Sequence, residues 1–178
     1  IKSSAASDVY KRQEGKTIYH AGDLNWWHWE EESEYYKNRL QKNGIDFTIF
    51  LKDDFSISIN RGKIVQIIDN LISNSEYWLI KLKGNDPKCK PSITIKIESP
   101  WIYFYDNGYG ISPAIENMLF EPFVTTKPKG EGRGLGLFII QQLLDSSKCT
   151  IALEPFRNEH GRKYIFAINF SNIINEYK

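Results

Sequence analysis

The sequence predicts one α/β domain, an α+β two-layer sandwich in which a sheet packs on helices. Its strand segments come in neighbouring pairs, which favours this architecture over a doubly wound sheet with strict strand and helix alternation. A length of 178 residues fits one domain. Hydrophobic residues make up 41% and charged residues 25% of the chain, a composition typical of a packed core and unlike that of disordered chains.

Charge and cysteine content exclude several classes of function. The chain has 23 Lys and Arg against 22 Asp and Glu, so no general positive field favours nucleic acid, and we expect no nucleic-acid partner. No apolar run approaches the ~18 residues that span a bilayer, so we expect this fragment to make no direct membrane contact. The two cysteines lie far apart in the sequence and suit a reducing compartment, which predicts a cytoplasmic location.

The first residues differ in character from the rest. The stretch SAASDVYKRQ at 4–13 resembles translated adapter sequence, so we expect residues 1–13 to be a non-native or disordered leader. Residues 14–178 are then expected to form the domain. The natural protein is expected to continue upstream.

The first half of the domain predicts a helix, a strand pair and a second helix. Residues 23–43 carry acids early and bases late, as a helix prefers. Residues 45–51 and 55–59 are rich in β-branched and aromatic side chains, which predicts two strands. Residues 61–82 place apolar side chains at helical spacing and are followed by glycine and proline, which predicts a long helix.

The second half predicts a hairpin, two helices and a closing strand pair. In chain order these are 92–98 with 101–105, 113–119, 136–146, and 150–155 with 164–170. A glycine-rich loop precedes the helix at 136–146. The predicted sheet therefore receives strands from both halves of the chain.

Two asparagines on the long helix form the first candidate site. Asn70, Asn74 and Trp78 are spaced four residues apart, so they lie along one stripe of the helix. An amide oxygen is a hard, neutral ligand that can share Mg²⁺ with phosphate oxygens, because this ion takes few protein ligands. Taken alone, the spacing also occurs by chance on polar helix edges.

A second motif, DNGYGI at 106–111, directly follows an apolar strand. The Asp106 carboxylate can accept a hydrogen bond from an amine such as that of adenine. Gly108 and Gly110 let the backbone approach a flat ring closely. In isolation, DNG is equally a common turn sequence.

Two further motifs lie close together, FEPF at 120–123 and GEGRGLGL at 130–137. Glycines before a helix expose backbone N–H groups, and the helix dipole attracts phosphate. Lys127, Lys129 and Arg133 add cations beside them. The spacing matches neither a P-loop nor a dinucleotide-binding fingerprint, so a different nucleotide site is required.

Together, the motifs resemble the N, G1, F and G2 boxes of the GHKL ATP-binding superfamily: NLISN at 70–74, DNGYGI at 106–111, FEPFVTTK at 120–127 and GRGLGL at 132–137. The sequence is most similar to the catalytic domain of sensor histidine kinases, with coverage over about 23–170. The resemblance implies a Bergerat fold, a mixed sheet packed on helices. It also implies a flexible lid over ATP at about 112–133.

The resemblance also implies roles for individual residues. Asn70 and Asn74 would bind Mg²⁺ and, with Lys127, form the catalytic group, while Asp106 would bind the adenine amine. Tyr77 stands where a basic residue is common, which leaves one expected phosphate contact open, with Lys81 one turn later as the residue that could replace it. The full set implied for ATP binding is Asn70, Asn74, Trp78, Asp106, Gly108, Gly110, Ile111, Phe123, Thr126, Lys129, Gly132, Arg133, Gly134, Leu135 and Gly136.

The choice between kinase and hydrolase depends on the residue at position 70. The Asn70 amide cannot act as a general base for water, and Asp69 is rotated by about 100° around the helix. We therefore expect a protein histidine kinase, whose ATP donates its γ-phosphoryl group to a histidine. None of His20, His28 and His160 has the sequence context of such an acceptor.

The expected partners are therefore an upstream dimerisation and phosphoacceptor histidine domain, and a response regulator receiver domain. The alternative is a GHKL nucleotide-switch ATPase module in a larger chaperone-like or defence protein, where bound ATP drives dimerisation or lid closure. A structural domain with decayed motifs fits less well, because all four boxes are complete.

Overall fold

The computed structural model describes residues 11–13, 16–18, 29–53 and 55–174. In chain order the elements are β1 (Lys11–Gln13), β2 (Lys16–Ile18), α1 (Trp29–Gln41), β3 (Asp46–Asp53), α2 (Arg61–Asn85), β4 (Ser92–Glu98), β5 (Trp101–Asp106), a 3₁₀ helix (Pro113–Met118), α3 (Gly136–Asp145), β6 (Thr150–Leu153), β7 (Ile165–Asn169) and a final 3₁₀ turn (Ser171–Ile173).

The domain is built on a mixed five-stranded sheet in the order β3, β4, β5, β7, β6. β3 runs parallel to β4, and the other neighbours are antiparallel. One face of the sheet packs on the helices, because apolar side chains from β4, β5 and β7 share a buried core with those of α2 and α3. The two-layer α/β fold with a mixed sheet is thus confirmed.

The long helix α2 is the central element of the helical layer. Asn60 caps its start by accepting a hydrogen bond from the Gly62 N–H at 2.8 Å, as an N-cap residue does. Buried side chains repeat along one face, at Ile64, Ile67, Ile68, Leu71, Ile72, Ser75 and Leu79. This confirms the predicted helix, which extends to Asn85.

The prediction of a strand at 55–59 is wrong. Ile57 makes one isolated bridge to Ile174, and the Ser58 N–H donates to the Ile173 carbonyl, but no ladder forms. The alternating pattern has another cause: Phe55 and Ile57 pack against the core while the chain leads into the α2 cap. Periodicity reports burial on one side of a segment, whether or not that segment pairs with a strand.

Part of the N-terminal predictions falls outside the described residues. Of the predicted leader, 1–10 lie outside them, while β1 pairs antiparallel with β2. The described part of the predicted 23–43 helix is α1, and His20 and His28 lie outside the description. Within the described residues, no helix combines the length and apolar character that crossing a bilayer requires.

Helix α1 is joined to α2 by one arginine. The Arg39 guanidinium donates to Asp69 at 2.8 Å, to Ser73 at 2.9 Å and to Glu76 at 2.6 Å. Arginine suits this position because its planar fork can serve several acceptors at once. The contact engages Asp69, the carboxylate that neighbours the candidate site residue Asn70.

Candidate functional site

A cavity of about 650 Å³ lies between α2, the end of β5, the loop at 119–135 and the start of α3. Residues from all four motifs line it, the FEPFVTTK motif through its last four residues, 124–127, and not through its two phenylalanines. The residues predicted from the sequence that line it are Asn70, Asn74, Trp78, Asp106, Gly110, Ile111, Thr126, Lys127, Gly132, Arg133, Gly134, Leu135 and Gly136.

Three residues of the predicted set lie behind or outside the cavity wall. Gly108 is buried and donates its N–H to Asp106 Oδ1 at 2.9 Å, so it supports the carboxylate. Phe123 is 75% exposed and points away from the core. Lys129 is exposed on the outer part of the loop. A motif in the sequence does not show which of its residues face the cavity, because this depends on the tertiary structure.

The asparagine pair faces the start of α3. Asn70 Nδ2 donates to the Gln66 carbonyl at 2.8 Å, which leaves its Oδ1 on the side of Gly136. A Cβ at Gly136 would lie 3.4 Å from both Asn70 Oδ1 and Asn74 Nδ2. Asn74 Oδ1 accepts a hydrogen bond from Lys127 Nζ at 3.1 Å. The two amides and one lysine therefore meet at this end of the cavity.

The first turn of α3 adds backbone donors to the same end. No side chain caps this helix, and Gly136 and Leu137 line the cavity. Uncapped N–H groups at a helix start carry partial positive charge and bind anions. Burial lowers the pKa of Lys127, and the nearby charge of Lys81 lowers it further. An anion entering here would act in the opposite direction and raise the pKa of Lys127.

Asp106 occupies the opposite end, at the last residue of β5. The Ser75 hydroxyl donates to its Oδ2, and Gly108 donates to its Oδ1. Burial raises the pKa of Asp106 above its ordinary value, although both hydrogen bonds act in the opposite direction. The carboxylate is therefore held in one orientation, with acceptor capacity remaining beside Trp78 and Ile111 in the cavity.

Sequence reasoning missed the roles of Ser75, Arg162 and Tyr164. Ser75 is 5% exposed, and a hydroxyl on an otherwise apolar stripe of α2 was the available signal. Arg162 and Tyr164 line the cavity from the segment between β6 and β7. Nothing in their local sequence indicates this, because the contact joins distant parts of the chain.

The loop over the cavity closes through its own backbone. The Phe123 N–H donates to the Gly134 carbonyl at 2.8 Å, so the segment 124–133 leaves and returns at one point. Before it, the 3₁₀ helix is anchored because Glu116 pairs with Arg157 and Lys163. Of the predicted lid at 112–133, the part beyond this anchor is 124–133, which we call the lid loop.

The lid loop contacts α2 through one glutamate. Glu131 accepts from the Tyr77 hydroxyl and pairs with Lys81 at 2.9 Å. Lys81 and Lys127 lie over the Tyr77 ring, at 4.6 Å and 4.3 Å from its centre. Tyr77, which replaces the usual basic residue, is thus flanked by two cations that other positions supply.

The sequence profile of the family described as "Histidine kinase-, DNA gyrase B-, and HSP90-like ATPase" matches residues 59–172. The chain belongs to this ATPase family. All four motifs and the whole cavity wall lie within the matched region. The ATPase family implies ATP binding, which agrees with a cavity that has a carboxylate at one end and anion-binding groups at the other.

Individual relatives of this ATPase domain include two-component sensors. The chain is 31% identical over 126 residues to the sensor protein ChvG of Rhizobium meliloti, covering 66% of this chain and 21% of that protein. It is 34% identical over 85 residues to the two-component sensor PprA of Pseudomonas aeruginosa, covering 46% and 9%. The chain thus spans less than a quarter of either relative.

Solved structures show the same fold. The catalytic domain of histidine kinase ThkA superposes with a TM-score of 0.61 at 24% identity, covering 79% of this chain and 89% of that one. The mycobacterial sensor histidine kinase MprB gives 0.61 at 16% identity, covering 78% and 88%. The fold of this ATPase domain is therefore that of histidine kinase catalytic domains.

The base of the lid loop provides a test with a matched control. Gly134 and Gly130 both have positive φ, at 66° and 92°, but only at Gly134 would a Cβ meet backbone, 2.5 Å from the Phe123 carbonyl carbon. We expect Gly134→Ala to destabilise the closed loop relative to the open loop by about 1 kcal/mol more than Gly130→Ala does. This corresponds to a roughly fivefold larger open population. Trypsin cleavage after Lys129 will be correspondingly faster in the first variant. Equal rates in the two variants contradict the observed loop base.

The buried carboxylate gives a pH-dependent prediction. Because the pKa of Asp106 is raised in the folded state, its proton stabilises the fold at low pH, and this stabilisation is lost as pH rises through the folded pKa. Asp106→Asn lacks the titration, so its unfolding free energy relative to the wild type should rise with pH, by at most about 1.4 kcal/mol per unit. Urea unfolding at several pH values measures this, and a falling difference contradicts it. In Ser75→Ala, the loss of stability with rising pH should extend to higher pH than in the wild type. The substitution removes a hydrogen bond that favours the ionised form of Asp106, so the pKa of Asp106 rises further.

Proposed function

We propose that this chain is the ATP- and Mg²⁺-binding catalytic domain of a sensor histidine kinase. The γ-phosphoryl group of bound ATP would be transferred to a histidine on a separate dimerisation and phosphoacceptor domain. A response regulator receiver domain would then take the phosphoryl group from that histidine. The observation that carries the proposal is one cavity with Asp106 at one end and Asn70, Asn74, Lys127 and the α3 start at the other. The sensor proteins among its relatives support the kinase branch.

At the base end, Asp106 would accept a hydrogen bond from the adenine amine. Ser75 and Gly108 already hold its carboxylate in position, so the side chain loses little conformational entropy when the nucleotide binds. Trp78, 36% exposed on the cavity wall, offers a ring face to the base. Guanine carries a carbonyl oxygen where adenine carries the amine. This oxygen accepts hydrogen bonds, as the Asp106 carboxylate does, so the two groups would repel each other.

At the phosphate end, backbone donors and cations would neutralise the triphosphate. The N–H groups at the α3 start, together with Lys127 and Arg133, line this part of the cavity. Positioning and charge neutralisation supply most of the catalysis of phosphoryl transfer. Lys127 is half-buried and bound to Asn74, so it is well placed to contact the γ-phosphoryl group during its transfer.

The donor set at this end fits a magnesium ion that arrives with the nucleotide. Asn70 Oδ1 and Asn74 Oδ1 are neutral oxygen ligands, and the described part of the chain holds no cluster of three His, Cys, Asp or Glu residues for a metal. Mg²⁺ commonly takes one or two protein ligands and several phosphate oxygens and waters. When bound, it would supply charge neutralisation between the phosphates.

Among the described residues, no carboxylate or histidine lines the phosphate end of the cavity as a base for water, which favours a kinase over a hydrolase. Asn70 offers no carboxylate, and Asp69 pairs with Arg39 at 2.8 Å outside the cavity. His160 packs beside Tyr109, with ring centres 5.2 Å apart, on the side of the base rather than the phosphates. His160 is the one histidine in the part of the chain that the structure describes, and its position supports an acceptor histidine on another domain. Two free cysteines, Cys89 and Cys149, support a reducing, cytoplasmic location.

Calorimetry with a non-hydrolysable ATP analogue tests the binding site. We expect binding that requires Mg²⁺ and prefers the adenine to the guanine analogue. Asp106→Asn, which turns half of the acceptor into a donor, should weaken affinity about tenfold or more, as for one charge-assisted hydrogen bond. Asp145→Asn, the same change at the exposed end of α3, should leave affinity unchanged. Metal-independent binding, or equal affinities of the two variants, removes the proposal.

The kinase step requires the whole protein. Radiolabelled ATP should give a label on the full-length chain that is labile in acid and stable in base, as phosphohistidine is. Release of inorganic phosphate without protein labelling would replace the kinase by the nucleotide-switch alternative.

A further inference from the structure

The adenine-facing loop, residues 107–111, forms a thin wall between two cavities. The nucleotide cavity lies on one side, and a second cavity of about 330 Å³ lies on the other, lined by Thr94, Tyr105, Glu159 and Tyr164 among others. The second cavity leaves part of the loop without side chains packed behind it. Hydrogen bonds therefore contribute to the position of the loop.

Those hydrogen bonds hold the loop at its two ends and once between them. Asn107 fixes the start, because its side chain accepts from the Ser92 N–H and donates to the Lys90 carbonyl, both at 2.8 Å. At the far end, the Ile111 N–H donates to the Lys163 carbonyl at 2.8 Å. Between them, the carbonyl of Gly108 accepts from Asn158 Nδ2 at 3.1 Å.

Asn158 uses both halves of its amide. Its Oδ1 accepts from the N–H groups of His160 at 3.0 Å and Arg162 at 3.1 Å, which fixes the turn between β6 and β7. Its Nδ2 is thereby directed to Gly108. A side chain that orders its own turn pays little further entropy to hold a second loop.

The turn itself is anchored on its other side. Arg157 and Lys163, at its two edges, pair with Glu116 of the 3₁₀ helix at 3.2 Å and 3.1 Å. Asn158 therefore connects the adenine-facing loop to a turn that salt bridges fix in place. The chain of contacts continues from Gly108 to Asp106, through the Gly108 N–H.

We propose that Asn158 is a positioning residue for adenine recognition. By holding the Gly108 carbonyl, it fixes the peptide whose neighbouring N–H orients the Asp106 carboxylate toward the base. This inference rests on the proposed nucleotide site. It predicts that Asn158 affects affinity through the base and leaves affinity for the phosphates unchanged.

Asn158→Asp separates the two halves of the amide. Aspartate keeps an oxygen for His160 and Arg162 but sets a second oxygen against the Gly108 carbonyl. The matched control is Asn172→Asp, because Asn172 Nδ2 also donates to a backbone carbonyl, that of Lys148 at 2.9 Å, away from the cavity. Both variants lose one such bond, and only the first lies at the adenine-facing loop.

The measurement compares two Mg²⁺-loaded probes by competition, a non-hydrolysable ATP analogue and inorganic tripolyphosphate. We expect Asn158→Asp to weaken the ATP analogue about tenfold and tripolyphosphate less than twofold, with Asn172→Asp changing neither. A merely structural defect would weaken both probes together and would overturn the inference, as would unchanged affinity for the analogue.

Two further outcomes are also decisive. Wild-type protein that binds no ATP analogue removes the proposed function itself, whereas wild-type binding with an unaffected Asn158→Asp removes only this inference. If Asn158→Asp does not fold, Asn158→Ser takes its place, because a serine hydroxyl can still accept within the turn but is too short to reach Gly108. The same selective loss for the ATP analogue is expected of it.

Discussion

The hydrogen bond from Ser75 to Asp106 is the contact on which the arrangement of the site depends. It joins the middle of α2 to the end of β5, between the helical layer and the sheet. A helix fixed at one residue has its rotation fixed throughout, because successive residues turn by about 100°. With Ser75 directed at Asp106, the neighbouring Asn74, and Asn70 one turn before it, face the start of α3. Together with the buried apolar face of α2, this contact orients the residues at both ends of the cavity.

Charge is distributed locally, although the chain as a whole is nearly neutral. Lys81 and Lys127 lie on either side of Tyr77, and Glu131 of the lid loop pairs with one of them. Asn74 holds the other through its side-chain oxygen. An incoming triphosphate would compete for these lysines with groups that belong to the lid loop and to α2. If a triphosphate takes these partners, its binding would be coupled to the position of the lid loop.

The sequence predicted those parts of the molecule that local pattern determines. The apolar stripe of α2, the hairpin of β4 and β5 and the order of the four motifs led to the observed fold and cavity. The strand prediction at 55–59 was wrong because alternation of apolar and polar residues does not distinguish a paired strand from a buried connection. Ser75 and Asn158 act through partners 31 and 50 residues away in the sequence. The hydroxyl of Ser75 on an apolar stripe is a local signal, but it does not identify Asp106 as the partner, and Asn158 has no such signal. Their roles required the tertiary structure.

The most direct test is a crystal structure with Mg²⁺ and a non-hydrolysable ATP analogue. We expect the adenine amine within hydrogen-bond distance of Asp106, the phosphates at the first turn of α3, and Lys127 moved from Asn74 onto a phosphate oxygen. An analogue with its base in the second cavity, or with its phosphates away from Asn70 and Gly136, would show that the proposed site is wrong.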